Sequence, residues 1–116
     1  MENRIFDMEE VKVSKEDAAT KTVFYSSDAT SGSVWVIQPG QTLQKHQHTQ
    51  SDDIWVVLQG EGIYYPEKDK EVPFHKGQVL LAPKGMCHGA KNIGKEDIIF
   101  VSIVAPVPLD YQPIEE

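Results

Sequence analysis

The sequence predicts an all-β chain folded as a sandwich or barrel. Short runs rich in β-branched and aromatic residues recur along it, and turn residues interrupt them every ten or so positions. Apolar residues at helical spacing are almost absent, which argues against a helical fold. From the N-terminus, residues 1–20 read as an arm. Within it Ser14-Lys15-Glu16-Asp17 resembles a capping box, a Ser with an acid three positions on, but the stretch to Thr20 lacks a periodic apolar face. A loop or one turn is expected there.

The strands follow in order. Thr22 to Tyr25 is the first, and Ser33 to Ile37 the second, ended by Pro39-Gly40. Ile54 to Leu58 stops at Gly60, Ile63 to Tyr65 at Pro66, and Gln78 to Leu81 at Pro83-Lys84-Gly85. Ile98 to Val104 is the longest, closed by Pro106 and Pro108. The charged stretches Pro66 to Glu71 and Asn92 to Asp97 read as hairpin connections, and residues 106–116 as an extended, Pro-rich tail. No repeat or linker divides the chain, so a single domain over 1–116 is expected.

Composition narrows the function classes. Eighteen acidic against eleven basic residues give a formal charge of −7, unsuited to nucleic acid or an anionic membrane surface. One cysteine, Cys87, rules out an internal disulfide. The first residues lack the basic and apolar regions of a signal peptide, and no apolar run approaches the roughly 20 residues of a membrane helix. A cytoplasmic protein is the expectation.

Two stretches carry the chemistry. In the first, Gly40 is followed after five residues by His46-Gln47-His48, after four more by Asp53, and after six by Gly60. In the second, Gly77 precedes Pro83-Lys84-Gly85 by five residues; His88 follows after two, and Asn92 after three more. On a strand, His46 and His48 project the same way about 7 Å apart and can converge on one ion. A lone His-x-His is also compatible with two ordinary hydrogen-bonded histidines. A carboxylate nearby favours a metal, because nitrogen and oxygen donors together suit iron, manganese, nickel, copper or zinc. Asp52 and Asp53 point to opposite faces; Asp53 shares its face with Trp55 and Val57, leaving Asp52 solvated. The Pro83-Lys84-Gly85 turn, with proline fixing φ and glycine free to take positive φ, makes His88 the opening of a strand.

Both stretches resemble the two signature motifs of the cupin superfamily. The first family motif is Gly, five residues, His-x-His, three or four residues, Glu, six residues, Gly; here Asp53 stands where glutamate is usual. The second is matched at Gly77, Pro83, Gly85, His88 and Asn92, and sixteen residues separate Gly60 from Gly77. The resemblance spans Gly40 to Asn92, about half the chain. It implies a double-stranded β-helix, the jelly-roll barrel of six to eight strands. It also implies one divalent transition metal held by His46, His48, Asp53 and His88, and a homodimer. Aspartate is one methylene shorter than glutamate, about 1.5 Å less in reach, so one-oxygen, water-mediated or three-histidine binding all stay open at Asp53.

Beside the ligands, strand alternation nominates Gln44, on the face of His46, and Tyr64 as groups that meet a substrate. Trp55 reads as core, His75 as a solvated turn residue, Cys87 as a small buried hydrophobe, and Lys45 and Lys84 as surface lysines. The expectation is a metal-dependent enzyme for a small oxygen-rich metabolite, working by oxygenation, isomerisation, decarboxylation or elimination. The alternative is a non-catalytic, metal-assisted binding protein for a sugar or organic acid. A cupin sensor joined to a DNA-binding module is disfavoured by the acidic charge and the lack of a helix-turn-helix segment.

Overall fold

A computed structural model describes residues 3–115. Ten strands form two five-stranded antiparallel sheets. One sheet has the order β1 (Thr20–Ser26), β2 (Ser31–Ile37), β9 (Ile98–Ala105), β4 (Asp52–Gln59), β7 (Val79–Ala82). The other runs β10 (Gln112–Pro113), β3 (Thr42–Gln47), β8 (His88–Lys91), β5 (Glu61–Glu67), β6 (Lys70–His75). Their inner faces close on Ile37, Leu43, Trp55, Tyr64, Phe74 and Phe100, with Trp55 stacked on Phe100 at 4.0 Å between ring centroids. This is the double-stranded β-helix that the motifs imply. Among the described residues no helix is long and apolar enough to cross a membrane.

The four motif glycines, Gly40, Gly60, Gly77 and Gly85, all have positive φ. Gly60 is doubly constrained, since a Cβ there would sit 2.8 Å from the Asp97 carbonyl oxygen. The motif asparagine is structural. Asn92 is fully buried, donates from Nδ2 to the carbonyls of Ile37 and Glu96 at 2.8 Å each, and accepts from the Gly94 amide. It thereby ties the end of the second motif to the end of β2.

Several elements differ from the sequence reading. Among the described residues the strand count is ten, above the six to eight expected. Pro66 and Glu67 belong to β5, and Lys70 and Glu71 to β6, with only a tight turn between. β6 shows no alternation, because only Phe74 of its six residues is buried, and it carries Pro73. It lies at the sheet edge, where a proline costs no ladder bond on the open side. The Ser14 segment is the expected loop, with bends at 16–18, and among the described residues the one short helix is α1 (Met8–Val11), capped by Asp7, whose Oδ1 accepts from the Glu9 amide at 3.0 Å. Met8 and Val11 pack on Val34, Val36 and Ile99, covering the first sheet at β2 and β9. The tail after Pro106 is extended, as expected, and is tied down: β10 pairs with β3, and the Ile114 amide donates to the Lys45 carbonyl.

Candidate metal centre

Four side chains from three strands and one connecting segment meet at one end of the barrel. His46 comes from β3, His48 from the residues just after it, Asp53 from β4 and His88 from β8, and their ligand atoms all lie within 4.8 Å of one another. All four are 1–4% exposed. On β4 the alternation is strict, so Asp53, Trp55 and Val57 turn inward while Asp52 faces solvent and accepts from the Lys84 amide at 2.9 Å. On β8, His88 opens the strand directly after the Pro83–Gly85 turn.

The imidazoles are oriented from behind. His46 Nδ1 donates to the Gln44 carbonyl (2.6 Å), His48 Nδ1 to the Asp110 carbonyl (2.5 Å) and His88 Nδ1 to the Met86 carbonyl (3.3 Å). A carbonyl oxygen only accepts, so each bond places the proton on Nδ1 and leaves Nε2 as the free lone pair. Asp53 is oriented likewise. The Ser102 hydroxyl donates to its Oδ1 at 2.6 Å, and Oδ2 lies 3.4 Å from His48 Nε2 and 3.1 Å from His88 Nε2. With Oδ1 engaged by Ser102, Oδ2 is the oxygen that faces the histidines.

These residues fit a divalent ion. Donors about 2.0–2.2 Å from one metal sit about 3 Å apart when they are adjacent in its coordination sphere, as the Asp53 distances do. Nε2 of His88 is fully buried without a hydrogen-bond partner among the described residues, a costly state that a metal bond relieves. Electrostatics agree. Burial, then the neighbouring His88, pushes His46 down to about 4, so it stays neutral. Burial alone would raise the Asp53 carboxyl, but the close imidazoles of His48 and His88 and the hydrogen bond from Ser102 outweigh it and hold the group well below the usual carboxylate range. For His48 burial is likewise outweighed, by Asp53 and the Asp110 carbonyl, and its pKa is raised.

A cavity of about 210 Å³ opens on His46, His48 and Asp53. Trp35, Leu43, Val104 and Leu109 give it apolar walls, and Lys21 and Tyr111 stand among its polar residues. It is smaller than the roughly 300–1,000 Å³ pockets of drug-sized ligands.

The structure does not bring Gln44 into this cavity. Between Leu43 and His46, β3 bulges: Leu43 pairs with Ala90 and His46 with His88, so Gln44 and Lys45 stand opposite Gly89 alone. Leu43, not Gln44, therefore shares the inner face with His46, and Gln44 is exposed. Tyr64 is buried behind the site, edge-on to Trp55 at 5.3 Å, and its hydroxyl donates to the Leu81 carbonyl at 3.4 Å. Trp55 packs as core and also lines the cavity. His75 is exposed; Cys87 is buried outside the cluster; Lys45 donates to the Lys68 carbonyl and lies over the Tyr65 ring. Sequence reasoning missed Ser102 as the partner of Asp53. It also missed Leu109, Asp110 and Tyr111, which no motif marks.

Known proteins agree with this architecture. A crystal structure of an uncharacterized conserved protein with a double-stranded β-helix domain from Klebsiella pneumoniae superposes with a TM-score of 0.95 at 31% identity, covering 99% of this chain and 100% of that one. An oxalate-binding protein of Thermotoga maritima is 29% identical over 68 residues, 59% of this chain and 55% of the relative. A gentisate 1,2-dioxygenase of a Ralstonia species is 26% identical over 76 residues, 66% of this chain and 21% of the relative. The chain thus spans about half of the first relative's length and a fifth of the second's. Residues 33–104, more than half of the chain, match the cupin domain family, and the chain belongs to that family.

Proposed function

We propose that this chain is a metal-dependent cupin enzyme that acts on a small, oxygen-rich anion in the cavity beside His46, His48, Asp53 and His88. The observation that carries the reading is the buried cluster of three imidazoles and one carboxylate, each held from behind, with Nε2 of His88 left without a partner. A divalent transition metal bound there supplies a Lewis acid that polarises the oxygen donors of a ligand. An ion held by these four residues would suit a ligand with two neighbouring oxygens. The chain's own residues do the rest. Ser102 fixes Asp53, the apolar walls exclude water, and Lys21 favours negative charge on the ligand. The small cavity and an oxalate-binding relative both support short carboxylic acids.

A second reading, metal-assisted binding without turnover, has one observation in its favour. Tyr64 is engaged by Leu81, and the Asp110 carboxylate by the amide and hydroxyl of Thr49, so neither is left free as an acid or base. The homodimer reading is supported by the outer face of β9, β4 and β7. There Leu81, Ile54 and Ile103 form one cross-strand row and Val79, Val56 and Val101 the next, without a charge in a chain of net −7.

Titration calorimetry and product analysis with short keto, hydroxy and dicarboxylic acids test the proposal on protein loaded with Fe²⁺, Mn²⁺, Ni²⁺ or Zn²⁺. Metal-dependent consumption of one acid, lost in His88→Ala, is expected. Saturable binding with no product supports the second reading; neither binding nor turnover contradicts both.

A further inference from the structure

The segment after β9 does more than cross the mouth of the barrel. Its residues Leu109, Asp110 and Tyr111 line the cavity, and Asp110 and Tyr111 each touch a histidine of the centre. The Asp110 carbonyl is the acceptor for His48 Nδ1. That carbonyl is located by its own side chain, because Oδ1 accepts from the Thr49 amide and Oδ2 from the Thr49 hydroxyl, both at 2.8 Å. The Tyr111 ring stacks on the His46 ring, 4.6 Å between centroids and 21° from parallel. Beyond Tyr111 the chain is zipped onto β3 by the pairing of Gln112 with Gln47 and by the bond from the Ile114 amide to the Lys45 carbonyl. Before Leu109 the buried Ser51 hydroxyl donates to the Pro106 carbonyl at 2.6 Å.

Two of the three histidines are therefore positioned by one short segment that arrives about 60 residues later in the chain. Groups behind a ligand that fix its tautomer and ring angle typically account for about 10–100-fold in metal affinity. Coupling of this kind is reciprocal: whatever the segment adds to metal affinity, the metal adds to the docking of the segment.

We propose that residues 109–114 form a strap thermodynamically coupled to the metal centre, with Asp110 and Tyr111 as positioning residues for His48 and His46. Occupancy of the centre holds the strap down, and the docked strap tightens the centre. The inference rests on the metal reading of the four-residue cluster, and its test separates the two.

The probe is Co²⁺ alone, titrated into the full-length chain against a competing chelator, with hydrogen exchange followed at the Thr49 and Ile114 amides. Tyr111→Ala and Asp110→Ala are expected to lower Co²⁺ affinity by about 10–100-fold. Tyr111→Phe, which keeps the stacked ring, and Asp110→Asn, which keeps an acceptor for the Thr49 amide, are expected to restore most of it. Co²⁺ is also expected to slow exchange at Thr49 and Ile114 while the β9 amides keep their rates. A general loss of folding in the alanine variants would alter β9 exchange as well, so it is recognised directly. Affinity equal in all five proteins, or unchanged exchange at Thr49 and Ile114 on metal binding, overturns the coupling and leaves the metal centre standing. A wild-type chain that does not bind Co²⁺ overturns the metal reading and the coupling with it.

Discussion

The strands β3 and β4 both deliver ligands to the centre, yet they do so by different rules. β4 keeps a period of two from Asp52 to Leu58, and its inward set of Asp53, Trp55 and Val57 is the one its sequence foretells. β3 breaks that period between Leu43 and His46, where two of its residues stand opposite Gly89. A Cβ on Gly89 would lie 3.0 Å from the Leu43 carbonyl oxygen and from Lys45 Cα, so the missing side chain is what lets the bulged backbone approach. The bulge puts apolar Leu43 in the cavity wall and turns Gln44 to solvent, while Gln44's own carbonyl holds the His46 ring. A ligand strand can thus be regular in its side chains, or irregular and use its backbone as the positioning group.

The sharpest way to break this contrast is to fill the space at Gly89. Gly89→Val drives side-chain atoms into the β3 backbone and is expected to cost about 1–3 kcal/mol of stability in denaturant unfolding, with weakened metal binding. The equivalent insult on the regular strand, Ile54→Val on its outer face, should stay within about 0.5 kcal/mol. Ser102→Ala acts on the regular side without disturbing any turn. It frees Asp53 Oδ1 and is expected to lower metal affinity by about 10–100-fold in a chelator competition, with folding intact.

Acidity separates the two histidines that flank the end of β3. His48, whose pKa is raised, holds its proton more tightly than an ordinary imidazole and must give it up to bind an ion. His46, at about 4, is already neutral through the whole neutral range. Metal affinity is therefore expected to rise with pH until the raised pKa of His48 is passed, with His48 supplying one proton per ion and His46 none above about pH 4. Calorimetry in buffers of different ionisation enthalpy counts those protons. Removal of His48 should abolish its share of the pH dependence. The smallest effect is expected from Gln44→Ala, within about 0.5 kcal/mol of wild-type stability and with unchanged metal affinity. A tenfold loss there would mean that the Gln44 side chain reaches the site and that the bulge is misplaced.

Much of the fold was legible because the code is local. Turn residues and runs of β-branched and aromatic residues mark β2, β4 and β9, and the spacing of the two motifs brings His46, His48, Asp53 and His88 to one point. What stayed hidden depends on partners remote in sequence. The bulge in β3 is set by Gly89 on the facing strand, and the edge strand β6 has only Phe74 to signal it. The strap at Asp110 and Tyr111 has no periodicity and follows prolines, a pattern that a solvated tail shares. Ser102 looked like any small residue on a buried strand until Asp53 was seen beside it. Gln44 faces solvent because alternation does not run through the bulge, where the backbone departs from it.

The central claim is that His46, His48, Asp53 and His88 hold one divalent metal. Elemental mass spectrometry of untagged wild-type protein beside the His46→Ala/His48→Ala double variant tests it most directly. About one equivalent of a transition metal in the wild type, absent from a variant that remains folded, is the predicted result. A folded wild type that carries none, and takes up none when offered Fe²⁺, Mn²⁺, Ni²⁺ and Zn²⁺ in turn, would contradict it.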